Sequence, residues 1–188
     1  MTRVYFVRHA QPNYDNHNDA LRELSPKGMQ DRSLVTRFLK GRQIEVAVSS
    51  PYKRAVDTIR EFTDSAGLKI ELVDGFRERK VDSGWIADFT SFARRQWEDF
   101  SFKLSDGECL GEVQRRNVAA LKELLERYRG RNIVIGSHGT ALSTILNYYD
   151  HSFGYQAFAD MKDKMPWIVE LVFDDEGNCL EITKHDLY

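Results

Sequence analysis

The chain has 188 residues, of which 41% are hydrophobic and 30% charged, and its formal net charge at pH 7 is -2. These values are typical of a compact globular domain spanning residues 1–188, and they exclude a disordered, collagen-like or coiled-coil chain. The small net charge also excludes broad electrostatic attraction to nucleic acid or to an anionic membrane. Because 17 arginines stand against 10 lysines, we expect local arginines to bind any anionic ligand, since the guanidinium group binds phosphate and carboxylate in a bidentate manner.

The cysteines and the N-terminal residues bear on the cellular compartment. Only Cys109 and Cys179 are present, without the dense spacing of a secreted disulfide framework. The apolar run at residues 4–7 is too short for a signal peptide or a membrane span. We therefore expect a cytoplasmic protein with no membrane partner, while the sequence pattern makes no prediction about oligomeric state.

Short apolar runs alternate with longer amphipathic stretches along the chain. Strands are predicted at residues 4–7, 44–48, 69–73, 133–135, 167–173 and 179–184. Helices are predicted to begin at Ser25-Pro26 and at Ser50-Pro51, ending at Gly41 and Gly67 respectively, and two more are predicted at residues 110–129 and at about 140–149. Strands that alternate with helices predict right-handed βαβ units. The predicted fold class is α/β, a three-layer α/β/α sandwich with a mostly parallel sheet and an antiparallel edge strand from the C-terminal hairpin.

Residues 76–108, called the excursion below, have weaker periodicity and many aromatic side chains among arginines. The aromatic residues are Trp85, Phe89, Phe92, Trp97, Phe100 and Phe102. Two interpretations stay open at this point. The rings either pack a helical segment or line a lid over a substrate, and residues 150–165 also have the composition of a specificity segment.

Three predicted strands end in residues suited to binding an anion. The segments are Arg8-His9-Ala10, Ser49-Ser50-Pro51 followed by Arg54, and Gly136-Ser137-His138-Gly139. In α/β sheets the carboxyl ends of parallel strands meet at one edge, where ligands bind. Helix N-termini at the same edge would add free N–H donors. The sequence therefore predicts a pocket for a tetrahedral dianion, which we prefer to a pair of structural core histidines.

These three segments resemble the signatures of the histidine phosphatase superfamily, also called phosphoglycerate mutase-like. The resemblance extends from residue 4 to about residue 145, with the motifs in the family's order. It implies that His9 attacks phosphorus and forms a phosphohistidine that water then hydrolyses. It also implies that Arg8, Arg54 and His138 bind the non-bridging oxygens, and that no metal ion or other cofactor is needed.

The resemblance assigns two further roles outside the strand ends. Glu78, in the loop after the third predicted strand, matches the family's general acid. An asparagine a few residues after the nucleophile contacts phosphate in many members. Asn16 is our candidate for that role, and Asn13 is the alternative.

Departures from the family pattern favour the phosphatase branch. Ala10 replaces the commoner glycine, and the mutases' Glu-Arg-His-Tyr-Gly stretch reads Glu78-Arg79-Lys80-Val81-Asp82 here. The mutases are also longer. We therefore predict a phosphomonoester hydrolase whose partner is a small phosphorylated substrate. A cofactor-dependent mutase and a non-catalytic module that binds a phosphorylated ligand are the alternatives.

One other motif matches a different phosphatase chemistry. Cys109 and Arg115 have the Cys-x5-Arg spacing of cysteine-dependent phosphatases. That chemistry needs a strand that ends at the cysteine, whereas no apolar strand precedes Cys109. Leu110 and Val113 instead begin an amphipathic helix face, so we predict a helix start at this position.

Overall fold

The computed structural model describes residues 1–188 and contains one six-stranded sheet. The strands are β1 (Thr2–Arg8), β2 (Val46–Ser49), β3 (Ile70–Leu72), β4 (Asn132–Ser137), β5 (Trp167–Phe173) and β6 (Cys179–His185). Their order is β3-β2-β4-β1-β5-β6. The first four strands are parallel, while β5 is antiparallel to both β1 and β6. The predicted α/β class, with a mostly parallel sheet and an antiparallel hairpin at one edge, is confirmed.

Helices cover both faces of this sheet. They are α1 (Pro26–Leu39), α2 (Lys53–Ala66), α3 (Phe89–Glu98), α4 (Leu110–Arg127), α5 (Gly139–Tyr149) and α6 (Tyr155–Asp160). Alternate residues of β1 enter two separate cores, as the pleat of a strand requires. Val4 and Phe6 belong to the core under α4 and α5, whereas Tyr5 and Val7 belong to the core under α1 and α2. No helix combines the length and the apolar character needed to span a bilayer.

The helix boundaries follow the predicted signals with one exception. Ser25 caps α1 by accepting a hydrogen bond from the Gly28 N–H (3.1 Å), and Gly67 ends α2 in the left-handed conformation with φ of 68°. The prediction that Ser50 opens α2 is wrong, because α2 begins at Lys53. The Ser50 hydroxyl instead forms a hydrogen bond of 2.7 Å with Nε2 of His138.

The excursion contains one helix, α3, and its aromatic residues divide into two groups. Phe92 and Trp97 are buried, and the Trp97 ring packs against the rings of Phe100, Phe153 and Phe158. These side chains form part of the core. Trp85 is different, since 65% of it is exposed. The sequence predicted neither α3 nor the short α6, because both are brief amphipathic segments inside irregular regions.

Candidate active site

The parallel register brings the predicted residues to one edge of the sheet. Arg8 at the end of β1 pairs with Ser137 at the end of β4, so His9 and His138 both emerge at this edge. Their ring centroids are 5.3 Å apart. Nε of Arg54, from the first turn of α2, donates a hydrogen bond of 3.3 Å to Nε2 of His9. The cluster predicted from the strand ends is therefore present.

Two glycines allow this close approach. A Cβ atom at Gly136 would lie 2.6 Å from the Ser49 hydroxyl oxygen and 2.9 Å from the Ala55 carbonyl oxygen. A Cβ atom at Gly139 would lie 3.1 Å from Nε of Arg8. Glycine at these positions lets α2 pack directly on β4 and lets the start of α5 lie against the Arg8 guanidinium.

His9 is held as a neutral imidazole with one defined tautomer. Its Nδ1 lies 2.8 Å from the Ala10 carbonyl oxygen, and a carbonyl only accepts, so Nδ1 carries the proton. Burial lowers the pKa of His9 well below its usual value, and the charges of Arg54 and Arg8 lower it further. The lone pair therefore resides on Nε2, the atom that faces Arg54 and that can act as a nucleophile.

His138 is also neutral in the ligand-free site. Burial lowers its pKa well below the usual value, followed by the charges of Arg54 and by His9. A phosphate dianion beside the two rings would act in the opposite direction, because a nearby negative charge favours the imidazolium. Anion binding would therefore raise the pKa of His138.

Arg8 uses one nitrogen atom for backbone contacts and leaves another without a partner. Nη1 donates to the carbonyl oxygens of Met161 (2.6 Å), Lys162 (2.9 Å) and Lys164 (3.0 Å), which fixes the turn after α6. Its Nε is buried and has no hydrogen-bond partner in the protein. Arg8 forms no ion pair with a carboxylate, so an anion in the pocket would satisfy both the free donor and the buried charge.

Arg54 contacts the loop of residues 10–24 as well as His9. Its Nη2 donates to the Asp19 carboxylate (2.9 Å), and its Nη1 donates to the Asp19 backbone carbonyl. The guanidinium is 3% exposed, while the Asp19 side chain is 42% exposed. Arg54 is thus oriented by a carboxylate at the pocket rim, and its Nε points to His9.

Arg22 is a site residue that the sequence analysis missed. Its side chain is 12% exposed and lies 3.4 Å from the Asp19 carboxylate, with Nε on the Asn16 carbonyl (2.7 Å). Its charge contributes to the lowered pKa of His9. Burial, and then the Arg54 charge, lowers the pKa of Arg22 itself. Arg22 follows no strand and belongs to no motif, so its place in the loop after His9 is the only signal that the sequence offers for it.

Glu78 lies beside the start of α5, where it caps the helix. Its carboxylate accepts hydrogen bonds from the N–H groups of Thr140 (3.0 Å), Ala141 (3.0 Å) and Arg79 (2.8 Å). Oε2 accepts only the Thr140 bond, which leaves it a free site for a proton. Since α5 begins directly after His138, this carboxyl group lies next to the histidine cluster.

The expectation of free N–H donors at the helix N-termini needs correction. At α5 the Thr140 and Ala141 groups bind Glu78. At α2 the Lys53 N–H donates to the Ala20 carbonyl (3.0 Å). These three amides have protein partners already, whereas the N–H groups of Arg54 and Gly139, in the first turns of α2 and α5, make no hydrogen bond within the protein.

Asn13 and Asn16 share one partner. The Nδ2 atoms donate to the two Glu23 carboxylate oxygens, at 2.6 Å from Asn13 and 2.7 Å from Asn16. These bonds lower the pKa of Glu23 to about 2. The structure therefore places both amide groups on a carboxylate within the 10–24 loop, and Asn16 as a phosphate ligand stays a prediction.

Cys109 is the N-cap residue of α4, as predicted. It is buried, and its backbone N–H donates to the Glu112 carboxylate (2.9 Å) in the arrangement of a capping box. No group of three or more His, Cys, Asp or Glu side chains is placed to hold a metal ion.

Comparison with known proteins identifies the family. The model of the histidine phosphatase superfamily (branch 1) matches residues 4–184. Because the match covers nearly the whole chain, the protein belongs to this superfamily. The predicted resemblance and the predicted enzyme class, a histidine phosphatase, are confirmed.

Two relatives illustrate the activities found in this family. A Hydrogenobacter thermophilus protein named "Putative phosphoserine phosphatase 2" is 28% identical over 161 residues, which cover 78% of this chain and 77% of the relative. A Yersinia pestis protein named "Probable phosphoglycerate mutase GpmB" is 26% identical over 163 residues, which cover 78% of this chain and 74% of the relative.

Solved structures share the fold over almost the full length. Phosphoserine phosphatase from Entamoeba histolytica, in complex with 3-phosphoglyceric acid, superposes with a TM-score of 0.78 at 20% identity, covering 99% of this chain and 98% of that one. Mycobacterial glucosyl-3-phosphoglycerate phosphatase gives a TM-score of 0.74 at 20% identity, covering 97% and 96%. At these identities the likeness demonstrates the fold alone.

Proposed function

We propose that the protein hydrolyses small phosphomonoesters through a phosphohistidine on His9. The observation that carries this proposal is the tautomer and charge state of His9. Its Nδ1 proton is held by the Ala10 carbonyl, and its lowered pKa leaves Nε2 unprotonated. A neutral imidazole with a fixed lone pair beside two buried guanidinium groups is suited to attack on a phosphate ester.

In the first step, Nε2 of His9 forms a bond to phosphorus while the bond from phosphorus to the ester oxygen breaks. Arg8 and Arg54 bind the non-bridging oxygens, and His138 becomes charged as the dianion enters. Arg22 adds a third guanidinium at the rim. Glu78 donates a proton to the departing oxygen, so that an alcohol leaves rather than an alkoxide.

In the second step, water replaces the alcohol. Glu78, now ionised, accepts a proton from the water, whose oxygen forms the new bond to phosphorus as the bond to His9 Nε2 breaks. Inorganic phosphate and the original state of the enzyme result. The sum is one ester and one water converted to one alcohol and one phosphate.

Two contacts of the excursion support a role in covering the entrance of this pocket. It carries Glu78 at one end, and Trp85 in its middle stacks on His17 of the 10–24 loop with ring centroids 4.5 Å apart. We assign substrate selection to this region. The relatives named above include enzymes for phosphoserine and glucosyl-3-phosphoglycerate, which supports a small phosphorylated acid or sugar acid as the substrate class.

The first test is hydrolysis of p-nitrophenyl phosphate in the presence of EDTA. Wild type should release phosphate, while His9→Ala should lose activity on the order of 10⁴-fold. His151→Ala, which alters an exposed histidine, is the matched control and should keep the wild-type rate. Cys109→Ser should also remain active.

Trapping the intermediate completes the test. A rapid quench with labelled substrate should give an acid-labile, base-stable phosphoenzyme that His9→Ala lacks. Loss of activity in Cys109→Ser alone would place the nucleophile elsewhere. Isomerisation of a phosphorylated hydroxy acid without phosphate release would identify a mutase, and phosphate binding with no turnover on any monoester would identify a binding module.

A further inference from the structure

One arginine of α4 holds the backbone on which Glu78 stands. Nη1 of Arg116 donates to the carbonyl oxygens of Gly75 (2.9 Å) and Arg77 (2.7 Å), and Nη2 donates to the carbonyl of Glu78 itself (3.1 Å). Residues 77–88 contain no helix or strand. The three bonds from Arg116 therefore replace the backbone pairing that a regular element would provide.

Glu108 completes this arrangement from the other end of the excursion. Its two carboxylate oxygens accept hydrogen bonds from Nε (2.8 Å) and Nη2 (2.9 Å) of Arg116 in a bidentate pair. The same carboxylate accepts the Lys80 N–H (2.9 Å), and the Glu108 N–H donates back to the Lys80 carbonyl (2.8 Å). Burial alone would raise the pKa of Glu108, but these hydrogen bonds and the Arg116 charge lower it below its usual value.

We propose that Arg116 and Glu108 are a positioning pair that fixes the Glu78 carboxyl group in register with the leaving oxygen of the substrate. This inference rests on the proposed role of Glu78 as general acid. Neither Arg116 nor Glu108 is assigned contact with the substrate. Their effect passes through the backbone of residues 77–80 to the side chain that transfers the proton.

The geometry requires arginine rather than any cation. A planar guanidinium reaches three carbonyl oxygens and both carboxylate oxygens at once, whereas an ammonium group has three donors and no fixed plane. Lysine at position 116 would keep the charge but release part of this network. Because a displacement of about 1 Å at a reacting group can cost roughly 100-fold in rate, the loss should appear in proton transfer.

A comparison of leaving groups separates positioning from simple stability. p-Nitrophenolate departs without a proton, whereas an alkyl alcohol needs the general acid. Arg116→Lys should therefore lower kcat/KM, which reports formation of the phosphoenzyme and not its hydrolysis, roughly 30- to 100-fold for an alkyl phosphate and less than about 3-fold for p-nitrophenyl phosphate. Glu78→Gln removes the proton donor completely and serves as the reference. It should show the same difference between the two esters, with a larger fall for the alkyl phosphate.

Arg127→Lys is the matched control on the same helix. Arg127 also binds a carboxylate, Glu71 (2.6 Å), but at the surface and at the far end of α4. Its substitution should leave both rates unchanged. The Thr140 and Ala141 amides donate to Glu78, so their hydrogen exchange should accelerate in Arg116→Lys and not in Arg127→Lys. This readout does not depend on turnover.

Each outcome decides between specific alternatives. An equal fall in kcat/KM for both esters, with unchanged exchange at residues 140 and 141, would reduce Arg116 to a structural role and overturn the inference. Unchanged kinetics and exchange would overturn it as well. An equal fall in kcat/KM for both esters in Glu78→Gln would instead show that Glu78 is not the general acid. That result would contradict the proposed role of Glu78, and it comes from a different variant than the result that tests Arg116.

Discussion

The two sides of the pocket are built in different ways. His9 and His138 stand on the ends of adjacent parallel strands, where the sheet ladder fixes their backbone. Asp19, Arg22 and Glu78 stand on irregular loops, where hydrogen bonds with a side chain, a loop carbonyl and helix amides, respectively, hold them in place. The residues that we propose to face phosphorus therefore have a rigid support, while those that we propose to face the rest of the substrate have an adjustable one.

This difference in support separates the residues proposed for phosphoryl transfer from those proposed for recognition of the rest of the substrate. Phosphoryl transfer needs donors in place before the charge develops, so a support that does not move lowers the barrier. Recognition of different alcohols needs variable contacts, and loops on a fixed scaffold provide them. Substitutions on the sheet side should affect kcat for every substrate, and substitutions on the loop side should affect KM or depend on the leaving group.

Arg54→Gln should give the largest effect among the substitutions considered next. Arg54 touches both sides, through Nε to His9 and through Nη2 to Asp19. Loss of its charge should lower kcat/KM for any monoester by roughly 10²- to 10³-fold. Lys53→Gln, which alters the exposed neighbour on α2, is the control. A drop for one substrate only would contradict the assignment of Arg54 to the phosphate.

Arg22→Gln, a substitution on the loop side of the pocket, should have a smaller effect on activity. We expect KM to rise on the order of 10-fold while kcat changes less than about 3-fold, because Arg22 adds charge at the rim rather than contact with the reacting atoms. Steady-state kinetics at two ionic strengths would check this. Arg60→Gln, at an exposed position of α2, should have no effect, and a dominant loss of kcat would place Arg22 among the catalytic residues.

The neutral histidines make stability depend on pH. The pKa values of His9 and His138 in the folded protein lie well below the usual value, so the unfolded chain takes up these protons first as pH falls. The contribution of the two histidines to the unfolding free energy should therefore be fully present above about pH 6.5. Below that pH the unfolding free energy should decrease, by up to ~1.4 kcal/mol per pH unit for each proton.

Urea unfolding between pH 5 and pH 8 measures this dependence. His138→Asn should reduce the slope, whereas His151→Asn should not. Saturating inorganic phosphate should flatten it, because the bound anion raises both pKa values toward normal. A slope that His138→Asn leaves unchanged would show that this histidine is not responsible.

Trp85→Ala should give the smallest change. The exposed indole stacks on His17 and joins the excursion to the 10–24 loop. Its removal should raise KM about 2- to 4-fold and leave kcat for p-nitrophenyl phosphate unchanged. Leu180→Ala, at an exposed apolar position on β6, is the control. A large loss of kcat would mean that the stack organises the reacting groups.

The same contrast explains what the sequence could predict. Apolar runs and alternation predicted the strands of the sheet, and His9, Arg54 and His138 followed because strand ends meet at one edge. Glu78 came from family resemblance rather than from any pattern in the residues. Arg22 has no such marker, since its site contacts depend on how an irregular loop folds back.

Long-range side-chain contacts are the second reason why part of the site could not be predicted from the sequence. Arg54 meets Asp19 across 35 positions of sequence, and Arg116 meets Gly75 across 41. Periodicity indicates which face of α4 is buried but not which carbonyl groups a polar side chain on that face reaches. Ser50 illustrates the same point, because its sequence context is typical of a helix cap while its hydroxyl binds His138.

The backbone pair between Lys80 and Glu108 has an evolutionary consequence. It holds the two ends of residues 81–107 close together. A change in the length or sequence of this segment would therefore cost only a modest amount of loop-closure entropy. Glu78 lies outside residues 81–107 and would keep its position. Exchange of residues 81–107 would therefore change the contacts above the pocket and leave His9, His138 and Glu78 on their own supports.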